Sequence, residues 1–320
     1  MRAMVLVQEN EFPQLQSVPD PVPGERELLV KVEAAGINYA DTMMRRGFYI
    51  QKPVFPYIPG FEFSGTVVGL GPACVPSWQG ARVMGLCQSA YAEYLTLAEA
   101  QAIPIPNKFS YEQAAAFPVV FLTAYAMLKI SAKAVPGETI LIHAAGGGVG
   151  TAAIQLAKKM GLAVIATASS DEKLERVKAL GADFTVNYKK RDFVEPVLQF
   201  TQGRGVNVVF ESSGGDFLDK DIDATAPFGR IVVFGMAGGT LPPPNLAKMF
   251  KHSISVTAFW LLTLTQQPAR FKLIVQELMD FVDQQEIRPV VGKVYPLKDA
   301  GEALKALESR QTYGKLLLKP

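Results

Sequence analysis

The sequence predicts an α/β protein in which a doubly wound parallel sheet is inserted into a β-rich domain. Three observations predict it. Between Thr139 and Phe259, short apolar β-branched runs alternate with helical stretches, the pattern of strands covered on both faces. The chain before Thr139 reads instead as short strands and turns. Beyond Trp260 the alternation stops, and a long helix is followed by two short strands, "GKVYPL" and "GKLLLK", that rejoin the β-rich part. The expected divisions are residues 1–122, 123–260 and 261–320.

In the first division, "ELLVKVEAAGI" (Glu27 to Ile37) and "FSGTVVGLG" (Phe63 to Gly71) are strands, and "PDPVPG" (Pro19 to Gly24) is a turn-rich connector. Asn38 to Arg46 reads as a short helix. In the second, "TILIHAA" is a buried strand leading into a helix from Gly148 to Met160. "AVIATA" (Ala163 to Ala168) is the next strand. The helix after it, Ser170 to Leu180, is capped by Ser170 and carries Asp171 and Glu172 in its first turn, where the helix dipole favours acids. "FTVN", "VNVVFE" and "GRIVVFG" continue the series, and Pro268 to Gln285 reads as the long helix of the third division.

Composition narrows the function classes. With 49% hydrophobic and 19% charged residues, the 320-residue chain is ordinary globular material of about two domains. Its 32 basic and 30 acidic side chains are interspersed, which disfavours a nucleic-acid partner. Cys74 and Cys87 are the only cysteines, too few for a disulfide framework and suited to a reducing compartment. The first residues, "MRAMVLVQENEF", contain no long apolar run of a secretory signal. The apolar run "AAAFPVVFLTAYAML" is broken by Pro118 and falls short of the ~20 residues of a membrane span. A cytoplasmic location is expected.

"IHAAGGGVG" (Ile142 to Gly150) carries the first chemistry. Read back from Gly150, the G-x-G-x-x-G template places glycine at 147 and alanine at 145. The first template glycine is missing, but strand, turn and helix are in the required order. Gly147 lets the backbone approach a phosphate, and Gly150 lets the helix pack on the sheet. NAD-binding units place Asp or Glu about 20 residues further on, to bond the ribose 2′-hydroxyl. Here "ATASSDEK" offers Ala168, Ser169 and Ser170 before any acid, with Lys173 in the next turn. Hydroxyls and an ammonium receive a 2′-phosphate where a carboxylate would repel it, so NADPH is the expected cofactor.

A metal is not expected. Two cysteines and two histidines, His143 and His252, without a C-x-x-C pair, fall short of a zinc ligand set. Tyr125 and Lys129 match a Tyr-x-x-x-Lys spacing, but they precede the glycine turn; a core-facing tyrosine and a surface lysine are the expected roles.

Six segments belong together: "GINYADTMMRRGFY" (Gly36 to Tyr49), "PGFEFSGTV" (Pro59 to Val67), "AAAFPVVFLTAY" (Ala114 to Tyr125), "HAAGGGVG", "FGMAGG" (Phe234 to Gly239) and "GKLLL" (Gly314 to Leu318). In combination they resemble the zinc-independent quinone oxidoreductases of the medium-chain dehydrogenase/reductase superfamily, whose relatives include zeta-crystallin and the vesicle amine transport protein homologues. The resemblance covers essentially the whole chain and shares the missing first glycine. Zinc-dependent relatives carry Cys where this chain has Asn38 and His where it has Phe61. The resemblance implies a Rossmann domain inserted into a GroES-like catalytic domain, with a cleft between them. It implies Asn38 and Thr123 near the nicotinamide, and Gly147, Gly148 and Val149 on the pyrophosphate. It also implies Ser169, Ser170, Lys173 and Tyr188 around the adenosine phosphate, Phe234, Gly235 and Met236 lining the cofactor site, and Lys315 as a further cofactor contact.

Without a Lewis acid, an acceptor that spreads incoming negative charge over its own π system is the easiest to reduce. A quinone or an α,β-unsaturated carbonyl is therefore the expected substrate, with Asn38 donating to the developing enolate oxygen. Tyr49, in "RRGFY", is a candidate proton donor, because related enoyl-thioester reductases place a tyrosine after the same glycine, here Gly47. Two alternatives stand beside this reading: an enoyl-thioester reductase, and a non-catalytic NADPH-binding protein of the vesicle-associated type. The family commonly dimerises through sheet edges, and "SISVTAFW" (Ser253 to Trp260) is the expected edge of a homodimer.

Overall fold

The computed structural model describes residues 1–284 and 286–320. In chain order the strands are Arg2–Val5 (β1), Gln14–Ser17 (β2), Glu27–Ile37 (β3), Glu62–Leu70 (β4), Arg82–Leu86 (β5), Tyr94–Ala98 (β6), Ile103–Pro104 (β7), Thr139–Ile142 (β8), Ala163–Ala168 (β9), Phe184–Asn187 (β10), Val206–Glu211 (β11), Thr225–Val233 (β12), Ser255–Ala258 (β13), Val291–Pro296 (β14) and Lys315–Lys319 (β15). The helices are Tyr39–Arg45 (α1), Tyr111–Ala115 (α2), Pro118–Ala126 (α3), Gly148–Lys159 (α4), Asp171–Lys178 (α5), Val194–Phe200 (α6), Phe217–Ala224 (α7), Leu246–His252 (α8), Leu261–Thr265 (α9), Pro268–Asp283 (α10) and Ala300–Glu308 (α11). They form two compact units: Met1–Val119 with Pro289–Pro320, and Val120–Arg288.

The first unit is built on a seven-stranded sheet in the order β14-β15-β3-β4-β5-β7, with β6 also paired to β3. Its pairings are antiparallel except β14 with β15. Alternation along β3 turns Leu28, Val30 and Val32 inward onto Phe63, Val67, Val83, Leu95 and Leu316. Gly36 marks a close approach: a Cβ there would stand 2.5 Å from Glu62 Oε1 and 2.7 Å from the Ala115 carbonyl.

The second unit is a six-stranded, all-parallel sheet in the order β10-β9-β8-β11-β12-β13. This is the doubly wound Rossmann arrangement, whose strand order reverses between β8 and β11; ligands bind at the carboxyl ends of the strands at that point. Strand residues Leu141, Ile165, Val209 and Ile231 are wholly buried, which is why the runs read as continuous apolar stretches. Ser170 caps α5 by accepting from Lys173 N at 3.4 Å.

The second unit does not end at residue 260. It runs to Arg288 because α10 buries Ile274, Leu278 and Val282, sets Phe281 edge-on to Tyr125 at 5.9 Å and pairs Glu277 with Lys129. Gln155 then fastens the chain, donating to Arg288 O at 3.0 Å and accepting from Arg288 N at 2.9 Å. The change of rhythm after Trp260 marks the end of the strand–helix alternation, and the amphipathic helix beyond it still belongs to this core. The described helix ends at Asp283; Gln285, its expected end, lies outside the described residues. Tyr125 is buried, with exposed Lys129 over its ring. Among the described residues no helix is long and apolar enough to cross a membrane.

Candidate active site

At the carboxyl end of β8 the chain makes a tight turn. Ala144 takes a positive φ of 47°, which alanine adopts only under constraint. Ala145 N donates to Thr167 O at 3.0 Å, tying the turn to β9, and Gly147 N donates to Ala144 O at 2.8 Å. Gly147 is the N-cap of α4. Gly150 is the packing glycine, because a Cβ there would lie 2.6 Å from Ala145 Cα. Gly147, Gly148 and Val149 thus stand at the start of a twelve-residue helix, where the first N–H groups have no intrahelical partner and the dipole favours an anion.

Beside this turn, β9 ends at Ala168, and Ser169 and Ser170 follow, both half-buried. Tyr188 N donates to Ala168 O at 3.2 Å, which brings Tyr188 to the same strand end. Lys173 is half-buried, and burial first, then Lys189, hold its pKa below the ordinary lysine value. Asp171, the nearest acid, is engaged elsewhere: it accepts from Asn187 Nδ2 at 2.8 Å and pairs with Lys190, and these bonds lower its pKa. A cavity of about 330 Å³ adjoins these residues, lined by Asp171, Thr185, Asn187, Lys190 and Arg191 among others; Ser170 and Tyr188 are not in its lining.

Phe234, Gly235 and Met236 follow β12 and are half-buried. Phe234 N donates to Glu211 O at 2.9 Å, and its ring lies edge-on to Phe210 at 6.2 Å. The same loop is sewn to the end of β11 by Ala237 N to Ser212 O at 2.9 Å. Thr123 is buried on α3.

In the first unit the structure assembles a group the sequence did not reveal. Asn38 precedes α1; its Nδ2 donates to Glu62 Oε1 at 3.0 Å and its Oδ1 accepts from Lys315 Nζ at 2.5 Å. Lys315 also pairs with Glu62, and both are buried. Glu62 Oε2 accepts from Val119 N at 2.7 Å. Asp41 lies one turn into α1 and accepts from Asn38 N at 2.8 Å and Tyr91 OH at 2.9 Å. Burial lifts its carboxyl to about 6. Tyr49 is half-buried, its ring 5.9 Å from Phe61. Two charges inside otherwise apolar strand segments, in "GFEFSG" and "GKLLL", were the available signal for this buried pairing.

A parallel sheet with the 3-2-1-4-5-6 strand order, a glycine turn at its reversal point and an antiparallel companion unit define a nucleotide-binding oxidoreductase of the medium-chain type. Comparison with known proteins agrees. Residues 24–107 match the alcohol dehydrogenase GroES-like domain, and residues 148–280 match the zinc-binding dehydrogenase domain. The chain is 32% identical to the human synaptic vesicle membrane protein VAT-1 homolog, over 96% of this chain and 82% of that protein. It is also 32% identical to the quinone oxidoreductase of Sus scrofa, over 96% and 94%. The quinone oxidoreductase of Thermus thermophilus, whose structures include a complex with NADPH, superimposes with a TM-score of 0.90 at 36% identity, covering 100% of both chains. The chain belongs to the quinone oxidoreductase family of the medium-chain dehydrogenase/reductase superfamily.

Proposed function

We propose that the protein transfers hydride from NADPH to a quinone or an α,β-unsaturated carbonyl, without a metal ion. The observation that carries the reading is the Asn38–Glu62–Lys315 group. Zinc-dependent relatives carry a metal-binding Cys at the position of Asn38. Here that position is an amide whose oxygen faces an ammonium, and Glu62, the one carboxylate in the group, already takes Asn38, Lys315 and Val119 N. A dication needs three or four Cys, His or carboxylate donors and no neighbouring cation, so this donor set does not fit zinc.

In this reading Gly147, Gly148 and Val149 hold the pyrophosphate, and Ser169, Ser170, Lys173 and Tyr188 hold the 2′-phosphate. Thr123 and Phe234 to Met236 line the nicotinamide end. Asn38 donates to the acceptor oxygen as negative charge develops there. Its amide has two N–H bonds; one is spent on Glu62, and the contact of Nδ2 with Gly36 O is long, at 3.4 Å. Because Glu62 and Lys315 fix the amide plane, the donor needs no reorganisation during the reaction. Tyr49 supplies the proton. The strand β13, last in the sheet order, is the edge through which two copies join, and the enzyme works in the aqueous, reducing cytoplasm.

The test is NADPH consumption by the purified chain with a simple quinone, an enone and an enoyl thioester, alongside elemental analysis and light scattering. Turnover with the quinone or enone, preference for NADPH over NADH, no stoichiometric zinc and a dimer mass are expected. Tight NADPH binding without turnover on any acceptor would overturn the catalytic reading, and turnover confined to the thioester would make the chain an enoyl reductase.

A further inference from the structure

His143 is the residue immediately before the strained Ala144, and it is fully buried. Its Nδ1 lies 2.8 Å from Thr167 Oγ1 on β9, and its Nε2 lies 2.7 Å from Asp221 Oδ1 on α7 and 4.0 Å from Glu211 Oε2 on β11. Glu211 Oε1 accepts from Gly214 N, holding the loop that follows β11. The rings of Phe193 and Phe217 wall the group, 4.7 Å and 5.0 Å from the imidazole. One set of side chains therefore joins the glycine turn, the end of β9 and the loop after β11, the three segments that meet at the reversal point of the sheet.

Charge neutrality sets the protonation of this group. Two carboxylates beside a neutral imidazole would bury two uncompensated negative charges, which a solvent-free interior disfavours strongly. One oxygen of each acid, Glu211 Oε2 and Asp221 Oδ2, has no hydrogen-bond donor. A carboxylate oxygen of each acid lies within 4.8 Å of one on the other, so a proton held by one of them is the donor that both lack. An imidazolium bonded to Asp221 and one proton between the acids make the group neutral and satisfy its polar atoms. The three side chains could also surround a cation, since their ligand atoms lie within 4.8 Å of one another. However, a metal holds each ligand at about 2 Å and spreads the ligands apart, whereas the 2.7 Å between His143 and Asp221 is a hydrogen-bond length.

We propose that His143, Asp221 and Glu211 are positioning residues that set the glycine turn through shared protons, so that cofactor binding weakens as the group deprotonates. The proposal rests on the reading that NADPH lies on this turn. The titratable groups that act on Glu211 are His143 and Asp221, and His143 itself meets the Thr167 hydroxyl of β9 and the Phe193 and Phe217 rings. Burial lifts Glu211 to about 7, and Asp221 and Glu211 raise His143 against the opposing effect of its burial. Both groups hold protons more tightly folded than unfolded, so their stabilisation is present at low pH and is lost as pH rises through their folded values. Loss of the Glu211 proton adds a negative charge behind the turn that receives the pyrophosphate.

The chain has only two histidines, so ¹⁵N-histidine labelling of the wild-type protein reports His143 directly, with His252 as the reference. An imidazolium signal for His143 persisting above the ordinary imidazole value of 6.5 is expected; a neutral ring throughout would overturn the proposal. NADPH affinity is measured by cofactor fluorescence from about pH 6 to about pH 9 in wild type and in Glu211→Gln. Wild-type Kd should rise by up to about tenfold per pH unit above the transition, the limit for one coupled proton. That step should vanish in Glu211→Gln, while the cofactor's own phosphate titration is common to both. Identical profiles, or one equivalent of bound zinc, would overturn the proposal. Absence of NADPH binding at every pH would instead strike the cofactor reading and leave the histidine signal to decide the shared protons.

Discussion

Replacing Lys315 by methionine removes the ammonium from the Asn38–Glu62–Lys315 group and leaves most of the aliphatic stem. Glu62 stays wholly buried and charged, with Asn38 Nδ2 and Val119 N as its remaining donors. Removing one partner of a buried pair costs about 3–5 kcal/mol, and two surviving hydrogen bonds point to the lower end, about 3 kcal/mol. For a unit of this size each kcal/mol moves the midpoint by about 2–4 °C, so thermal unfolding followed by circular dichroism should shift down by about 6–12 °C. The double variant Glu62→Gln/Lys315→Met removes both charges and should recover more than half of the loss. A single-variant shift under about 2 °C would show that the pair is hydrated and refute the burial argument. A double variant as unstable as the single would assign the loss to packing of the lysine stem, refuting the charge argument.

Asn38→Ala should lower kcat by about a hundredfold with little change in NADPH affinity, the usual cost of losing one donor to a developing oxyanion; steady-state kinetics with a quinone reads it. Lys173→Ala should reduce the preference for NADPH over NADH by about tenfold, the value of one charge-assisted hydrogen bond, read as the ratio of the two dissociation constants. Asp41, lifted from an ordinary value of 3.8 to about 6, binds its proton more tightly in the folded chain. Its contribution to stability therefore falls as pH rises from about 4 to about 6, and urea unfolding of Asp41→Asn should lack that decline relative to wild type.

The Rossmann unit was legible because burial on both faces leaves continuous β-branched runs such as "TILI" and "AVIATA", and because a glycine turn and a serine cap are local signals. The full extent of that unit was not legible: α10 belongs to it through Tyr125 and Lys129, and Arg288 beyond it through Gln155, partners more than a hundred residues earlier in the chain. The candidate site divides the same way. The glycine turn and the missing acid at Ser169 and Ser170 are contiguous stretches, whereas Asn38 and Lys315 meet across 277 positions and His143 and Asp221 across 78. Spacing along the chain holds no trace of either pairing. An ionisable residue inside an apolar strand announces only that it needs a partner, not which one.

The order of the strands in the first sheet also bears on how the protein is made. β15 lies between β14 and β3, and its Leu316, Leu317 and Leu318 pair with Ile37, Gly36 and Ala35. During synthesis that half of β3 leaves the ribosome long before its neighbour is translated, and its backbone edge stays open to other nascent chains. Glu62 waits equally long for Lys315. The parallel sheet, encoded without interruption, completes first, and the sheet formed from segments on both sides of it in the sequence closes last.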